Sequence, residues 1–506
     1  MSERAPFLVD DADVPALRRA VSEVGRTGYC EAAVRERLGL GDLCDLHWRN
    51  LPVYRDERLA ERDTMALAID LFLLQGGLTT GELDRLLPAS SREVLLRTAL
   101  LEIEETGVAR ARASLVPVGR RLIFADHAWP ELPHPGHATV PSDQVMAAGL
   151  DSRYLARATV RRPVRSALDV CTGSGVHALL AASHARRVCA VDINPRAVRC
   201  TRFNARALGI ANLEAVEGDL FDPVGGERFD LITANPPFVP SPVNTLWFRD
   251  GGPTGEDVQK RIVAGLPHHL APGGMAQLVT ELGEREGEPV ACRLRQWLAG
   301  APMDIHVLRV ASHTAAQYAA GHAKGGDYAS FLDSARAWAA NLRAQGYARV
   351  VTVLVAFQWS SPASSAPWER IDQSRPPWRS AGAEIEAAFL PERLARTPDL
   401  HRHLEGSWLR RAGPVALLEA SVLGGAIAPK ARATRLGQAL EIEHELEPLE
   451  RQLLAAMERR VAASELLRLC REFDAPEPAV LEAIRSLLRK RLASIDIPSE
   501  KLSSSG

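Results

Sequence analysis

Asn235-Pro236-Pro237-Phe238 is a run of side chains suited to holding a planar nitrogen. Two consecutive prolines fix φ and remove two N–H donors, so the turn is stiff and its carbonyls point in set directions. The Asn235 side-chain oxygen and the Pro236 carbonyl can both accept from one NH2 group, and Phe238 can stack on a flat substrate. The lone pair of an amide or an exocyclic amine is delocalised. Such a nitrogen must be held and partly pyramidalised before it attacks an electrophile, and two acceptors with an aromatic platform do that by orientation and electrostatics. A plain Pro-rich loop is the alternative reading, and three upstream strand ends weigh against it.

The first of these is SALDVCTGSGVHALLAA, where a strand ends at Asp169-Val170, the chain turns through Gly173 and Gly175, and a helix starts at Val176. The glycines permit the sharp turn and let a ligand approach the helix N-terminus. The pattern D-x-x-x-G-x-G is not the dinucleotide fingerprint, and no phosphate need be cradled. The second strand ends at Asp192, 23 residues on, where a carboxylate can take both ribose hydroxyls of a nucleoside. The third ends at Gly218-Asp219, where a carboxylate and the Leu220 amide can read an adenine edge. Either acid alone reads as an ordinary loop residue.

Positioning these groups requires a sheet. From Val164 to Trp359 seven strand-like runs (SALDV, CAVDI, LEAVEG, FDLITAN, AQLVTEL, IHVLRV, VVTVLVAFQW) alternate with helical runs. That predicts an α/β, Rossmann-like parallel sheet with helices on both faces. Residues 1–150 read as a helical, winged-helix-like N-terminal domain. LTTGELDRLL, opened by Thr79-Thr80 as caps, and SREVLLRTALLEIEETG are its two helices, and ARASLVPV with RRLIFAD its hairpin. Residues 151–360 are the catalytic domain, and the breaker SSPASSAPWERIDQSRPPWR (360–379) marks a boundary. Residues 361–500 read as a mostly helical, again winged-helix-like C-terminal domain, and 501–506 as a disordered tail.

DVCTGSG, VDINP, EGDLF and NPPF, in this order and spacing, resemble class I S-adenosylmethionine-dependent methyltransferases of the NPP(Y/F) type. The stretch FRDGGPTGEDVQKRIVAGLPHHLAPGG is similar to the release-factor glutamine N5-methyltransferases. The resemblance covers about 150–290 strongly, reaches 359 in outline and leaves out both flanks. It implies a seven-stranded methyltransferase sheet and S-adenosyl-L-methionine as cofactor, with S-adenosyl-L-homocysteine as product. It also implies that Asp169, Cys171, Thr172, Gly173 and Gly175 surround the methionine part, that Asp192 and Ile193 serve the ribose, and that Asp219 and Leu220 serve the adenine. Asn235 and Pro236 then hold the target nitrogen beside the cofactor, with Pro237 and Phe238 against the substrate. Two departures stand out: Cys171 where Gly is frequent, expected to matter little because only backbone is used, and Phe238 in place of Tyr.

Composition narrows the acceptor. Lys+Arg total 61 and Asp+Glu 63, a net charge of -2, and only five of the cations are lysines, as codon bias in a GC-rich genome would give. Gly77–Ala128 carries seven basic and seven acidic residues, and Leu436–Ile495 nine and eleven, so neither flank offers a phosphate-neutralising face. Nucleic acid is thereby disfavoured, although a methyltransferase of an RNA or DNA base amino group is an alternative. A protein or peptide glutamine-type amide leads by resemblance. A small metabolite is a further reading, with the winged helix serving a homodimer and closing the pocket. A regulator that binds the cofactor without catalysis is a fourth. Seven cysteines without a CxxC pair and an N-terminus lacking an apolar core suggest a reducing cytoplasm, and no apolar stretch is long enough for a bilayer. No metal is expected: the adjacent His268-His269 point to different helix faces, and no Cys/Asp cluster matches them or His401 and His403.

Overall fold

The computed structural model describes residues 7–127, 141–243, 245–360, 366–374, 380–397, 400–419, 431–435, 440, 442–468 and 475–496. The C-terminal tail, Cys470 and half of the 360–379 breaker lie outside the described residues. Two compact units emerge. The first is Met1–Ala156, Arg161–Ala299 and Ser312–Leu354; the second is Arg157–Val160, Gly300–Ala311 and Val355–Gly506.

The sheet of the first unit is built from β1 (Val164–Val170), β2 (Ala185–Asp192), β3 (Leu213–Glu217), β4 (Phe229–Ala234) and β5 (Leu270–Glu284), with parts of β6 (Met303–Thr314) and β7 (Arg349–Trp359). Its strand order is β7-β5-β4-β1-β2-β3. The pairs β1–β2, β2–β3, β1–β4 and β4–β5 are all parallel. Helices α1 (Leu150–Ala158), α2 (Val176–Ala181), α3 (Pro195–Ala207) and α4 (Asp257–His269) lie before or between these strands. Leu168, Val170, Leu231 and Ile232 are buried, as central strands covered on both faces require. The chain runs outward from β1 to β3, then returns to place β4 on the other side of β1. The loops leaving β1, β2, β3 and β4 therefore share one edge at a topological switch point, where α/β sheets bind ligands.

Ahead of the sheet, Thr64–Phe72 is followed by strand Gly77–Leu78, helices Thr80–Leu86 and Ala89–Arg97, and strands Leu101–Ile103 and Ala109–Ala111. The three strands pair antiparallel with Ala109–Ala111 central. Thr79 closes a capping box: its hydroxyl accepts from Glu82 N at 3.3 Å and its N–H donates to the Glu82 carboxylate at 2.9 Å. The expected hairpin forms, Ser114–Val118 pairing with Arg121–Ala125, but as a separate two-stranded sheet, and an additional strand pair, Leu101–Ile103 with Ala109–Ala111, precedes it. The helix expected to continue through Leu101 stops because Ala99 turns left-handed (φ 54°), a position normally marked by Gly.

This region shares its core with helix α3. Leu17, Tyr29, Leu67 and Phe124 belong to one buried cluster with Ala197, Cys200, Phe203 and Ala207 of α3. Asn204 of α3 clasps the backbone of Phe124, accepting from its N–H at 2.8 Å and donating to its carbonyl at 2.8 Å.

In the second unit the remainder of β6 pairs in parallel with β8 (Glu369–Gln373), from Ile305 opposite Glu369 to Arg309 opposite Gln373. All seven expected runs form strands, and β8 is an additional one. β8 lies inside the stretch read as a breaker, and its Arg370 and Asp372 pair with each other and are largely buried. Asp372 accepts from His306 Nε2 at 2.9 Å and lies 2.8 Å from Arg370 Nε and 3.1 Å from Arg491 Nη2.

The C-terminal part carries strands as well as the expected helices. Beside helices Pro448–Ala456, Ala463–Arg468 and Glu477–Arg489 stand two three-stranded antiparallel sheets. Trp408–Arg411 is flanked by Val461–Ala462 and Ala493–Asp496 in one, and Ala431–Arg435 by Val415–Glu419 and Glu443–Leu446 in the other. Buried Ala431 and Ala433 alternate with arginine and threonine, a strand pattern with few of the β-branched residues that would announce it. Among the described residues no helix is long and apolar enough to cross a membrane.

Candidate functional site

At the switch point the strand-end loops enclose a cavity of about 260 Å³. Cys171, Thr172, Gly173, Asp192, Ile193, Asp219, Leu220, Asn235, Pro236, Pro237 and Phe238 all line it. Two of the predicted residues do not. Asp169 is 1% exposed and lies beneath the loop, where its carboxylate accepts from Thr172 Oγ1 and Thr233 Oγ1 at 2.7 Å each and from Ala178 N at 3.2 Å. It ties β1, β4, the turn and α2 together, and burial pushes its pKa up to about 6. Gly175 (φ 86°) is needed for closeness: a Cβ there would sit 2.9 Å from Thr201 Cγ2 on α3.

Cys171 matters more than expected. Its φ is 57°, in the left-handed region that costs a non-Gly residue roughly 1–2 kcal/mol. The strained backbone is what turns the chain from β1 towards the cavity.

Asp192 accepts from Gly173 N at 2.8 Å and from Asn194 N at 2.9 Å, which fixes its carboxylate beside the glycine turn. Burial raises its pKa. Next to it Ile193 is 61% exposed, an apolar surface on the cavity wall. Asn194 Oδ1 caps α3 by accepting from Arg196 N at 2.9 Å, with Pro195 in the first turn. Asp219 accepts from Arg261 Nη2 at 2.8 Å, a half-exposed pair on the outer rim.

At the other end, Asn235 Nδ2 donates to Ser152 Oγ at 3.1 Å. Phe238 is 7% exposed and packs against Tyr318, Trp338 and Tyr347, so it forms a firm wall. Behind that wall Glu281 accepts from Tyr318 OH at 2.5 Å and from Thr352 Oγ1 at 3.2 Å. Burial pushes its pKa up to about 7, and nearby Asp151 adds to the shift. Asp151 itself lines the cavity, its pKa pushed up to about 6 by burial.

Sequence reasoning missed Gln144, Met146, Asp151 and Ser152, which reach the cavity from α1 and the segment before it, and Trp247, Phe248 and Arg249 from the loop after Phe238. A domain boundary placed at 150/151 cut through the first group. In the second, the adjacent aromatics Trp247-Phe248 shortly after NPPF were the available signal. A second cavity of about 370 Å³ shares Gln144, Met146, Phe248 and Arg249 with the first, and Leu43, Leu46, Leu73 and Val116 of the N-terminal region line it. His269 does not approach the cavity. Its ring nitrogens face the carbonyls of Gly265 and Gly225 at 2.9 and 2.8 Å. Among the described residues no group of three or more His, Cys, Asp and Glu could hold a metal ion.

The donor set suits a nucleoside joined to an amino acid. Carboxylates stand at two successive strand ends, an exposed apolar side chain lies between them, and a glycine turn with free approach faces the third side.

Residues 147–288 match the family described as "Methyltransferase small domain". The chain is 34% identical over 170 residues to the release factor glutamine methyltransferase of Geobacter sulfurreducens, covering 30% of this chain and 57% of that protein. It is 38% identical over 133 residues to the ribosomal protein uL3 glutamine methyltransferase of Bradyrhizobium diazoefficiens, covering 24% and 41%. A candidate protein N5-glutamine methyltransferase of Methanocaldococcus jannaschii is 34% identical over 145 residues, 27% of this chain and 73% of the relative. The chain thus spans 57% and 41% of the length of the first two. With the switch-point cavity and these relatives agreeing over one stretch, the chain belongs, through its central domain, to the S-adenosylmethionine-dependent methyltransferases that include the protein glutamine methyltransferases.

Proposed function

We propose that the protein methylates a planar nitrogen, the side-chain amide of a glutamine-type residue in a protein or peptide. The observation that carries this reading is that Asn235, Pro236, Pro237 and Phe238 share one cavity with Gly173, Asp192 and Asp219. When bound, S-adenosylmethionine supplies an electrophilic sulfonium methyl. The residues of the chain do the rest by placement. Asp192 and Ile193 hold the ribose, Asp219 and the Leu220 amide the adenine, and Cys171, Thr172, Gly173 and Gly175 shape the turn around the amino-acid part. Asp169 acts from beneath by holding that turn. Asn235 Oδ1 and the Pro236 carbonyl accept the two N–H groups of the acceptor, and Phe238 fixes its plane.

The flanks enter this reading as accessory, winged-helix-like parts of a cytosolic enzyme. Their balanced charge argues against a nucleic-acid acceptor. The relatives named for release factor and ribosomal protein favour a protein acceptor. One observation favours a second reading: the adjoining cavity is lined by Leu43, Leu46, Leu73 and Val116, the apolar enclosure that a small metabolite would need.

The test incubates the protein and an Asn235→Ala control with host extract and methyl-labelled S-adenosylmethionine, then sorts the label into protein, nucleic-acid and small-molecule fractions. Label in protein that vanishes in the control supports glutamine-type methylation. Label in small molecules moves the acceptor to the second reading, and equal labelling by the control removes Asn235 from the reaction.

A further inference from the structure

Asn235 can take the acceptor's N–H only if its Oδ1 faces the cavity, and an asparagine amide has two orientations related by a half-turn. In the productive one the Nδ2 group points away from the acceptor and needs a partner of its own. Ser152 Oγ provides it at 3.1 Å, and the serine, at the cavity wall, is only 6% exposed. In the reverse orientation the cavity would face two N–H donors, which cannot bind another N–H.

Ser152 belongs to α1, which lies outside the parallel strands and is fastened by the residue that follows. Arg153 is 3% exposed, its Nη2 donates to the Pro117 carbonyl at 3.1 Å, and its Nη1 lies 3.0 Å from Glu31 Oε1. Both partners come from the N-terminal region. A chain of contacts therefore runs from Glu31 and Pro117, through Arg153, to the serine that touches the Asn235 amide.

We propose that Ser152 is a positioning residue for acceptor binding: it takes the outward N–H of Asn235 and so presents Oδ1 to the substrate nitrogen, and the N-terminal region holds it there through Arg153. This rests on the role given to Asn235 above. It adds a residue from outside the strand ends and gives the N-terminal region a part in the chemistry.

Two measurements test it on the full-length protein. In the first, protein labelled with ¹⁵N-asparagine is loaded with S-adenosylhomocysteine, and the Asn235 side-chain NH2 pair, assigned with Asn235→Ala, is followed by NMR. Ser152→Ala should move that pair and speed its hydrogen exchange at least about tenfold, as expected on loss of a buried hydrogen bond. Ser152→Thr, which retains the hydroxyl, should restore both.

In the second, the initial rate of label transfer from S-adenosylmethionine to host extract should fall about ten- to a hundredfold in Ser152→Ala and recover in Ser152→Thr, with S-adenosylhomocysteine affinity unchanged by calorimetry. An Asn235 NH2 signal indifferent to Ser152→Ala overturns the proposal, as does a defect that threonine does not repair. If Asn235→Ala proves fully active, the amide-methylation reading falls, while the NMR arm still decides whether Ser152 orients Asn235.

Discussion

The two ends of the cavity are made in different ways. The end proposed for adenosine is assembled from groups close in sequence to their strand, such as Asp192 with the backbone amides of Gly173 and Asn194, and its geometry follows from the sheet. The end proposed for the acceptor is assembled from afar: Asn235 leaves β4, Ser152 comes from 83 residues upstream, and the wall behind Phe238 draws Tyr318 and Trp338 from two helices beyond β6. A fold that binds a shared cofactor can hold that end constant, while the other end, which must recognise a particular acceptor, is contributed by segments free to differ.

Breaking each end separately should give different phenotypes. The largest effect is expected for Asn235→Ala, with turnover down roughly 10²–10³-fold, the range seen when one preorganised transition-state partner is lost. S-adenosylhomocysteine affinity, read by calorimetry, should stay within about twofold, because a hydrogen bond on the acceptor side contributes nothing to it.

Glu281 sharpens the contrast through pH. Its pKa is pushed up to about 7 by burial, so its protonated form is favoured in the folded state. The stability it contributes is complete below its unfolded pKa of 4.5 and is lost as pH rises through 7. Unfolding free energies from denaturant titrations at pH 5, 6, 7 and 8 should therefore fall for the wild type by at most about 3 kcal/mol and stay flatter in Glu281→Gln. A parallel decline in both proteins would dissociate this carboxyl from the effect.

Asp192→Ala should weaken S-adenosylhomocysteine binding about ten- to a hundredfold, since hydrogen bonds to a charged group contribute about 1.5–3 kcal/mol. Turnover at saturating cofactor should hold within a few-fold, the reverse of the Asn235 result. The smallest change belongs to Arg261→Ala. The Asp219–Arg261 pair is half-exposed, so its loss should alter cofactor KM by no more than about fivefold, less at high salt.

The same division explains what could be read in advance. Parallel strands buried on both faces announce themselves as apolar runs, and glycines and acids at their ends mark the cofactor side, so β1 to β7 and most of that side are visible in one dimension. Asp169 looked like a cavity residue because its neighbours in sequence line the cavity, but whether a carboxylate points up or down is set by Thr172 and Thr233, a contact across strands. Ser152 is unremarkable in sequence and gains meaning only from a partner 83 residues away. Ala99 ends a helix with no glycine to signal it, and β8 hid because Glu369–Gln373 reads as charged while His306 and Arg491, which pair with Asp372, lie far away in the chain.

Helix α3 presents Cys200, Phe203 and Ala207 to apolar residues that lie ahead of the sheet in the chain. The boundary drawn by similarity, at residue 147, is therefore not a boundary of folding. A fragment trimmed to it would leave that helix face in water, with Asn204 facing no Phe124 backbone. Anyone transplanting this catalytic domain, or grafting a different N-terminal region onto it, inherits a hydrophobic seam that has to be refilled before the acceptor pocket can be redesigned.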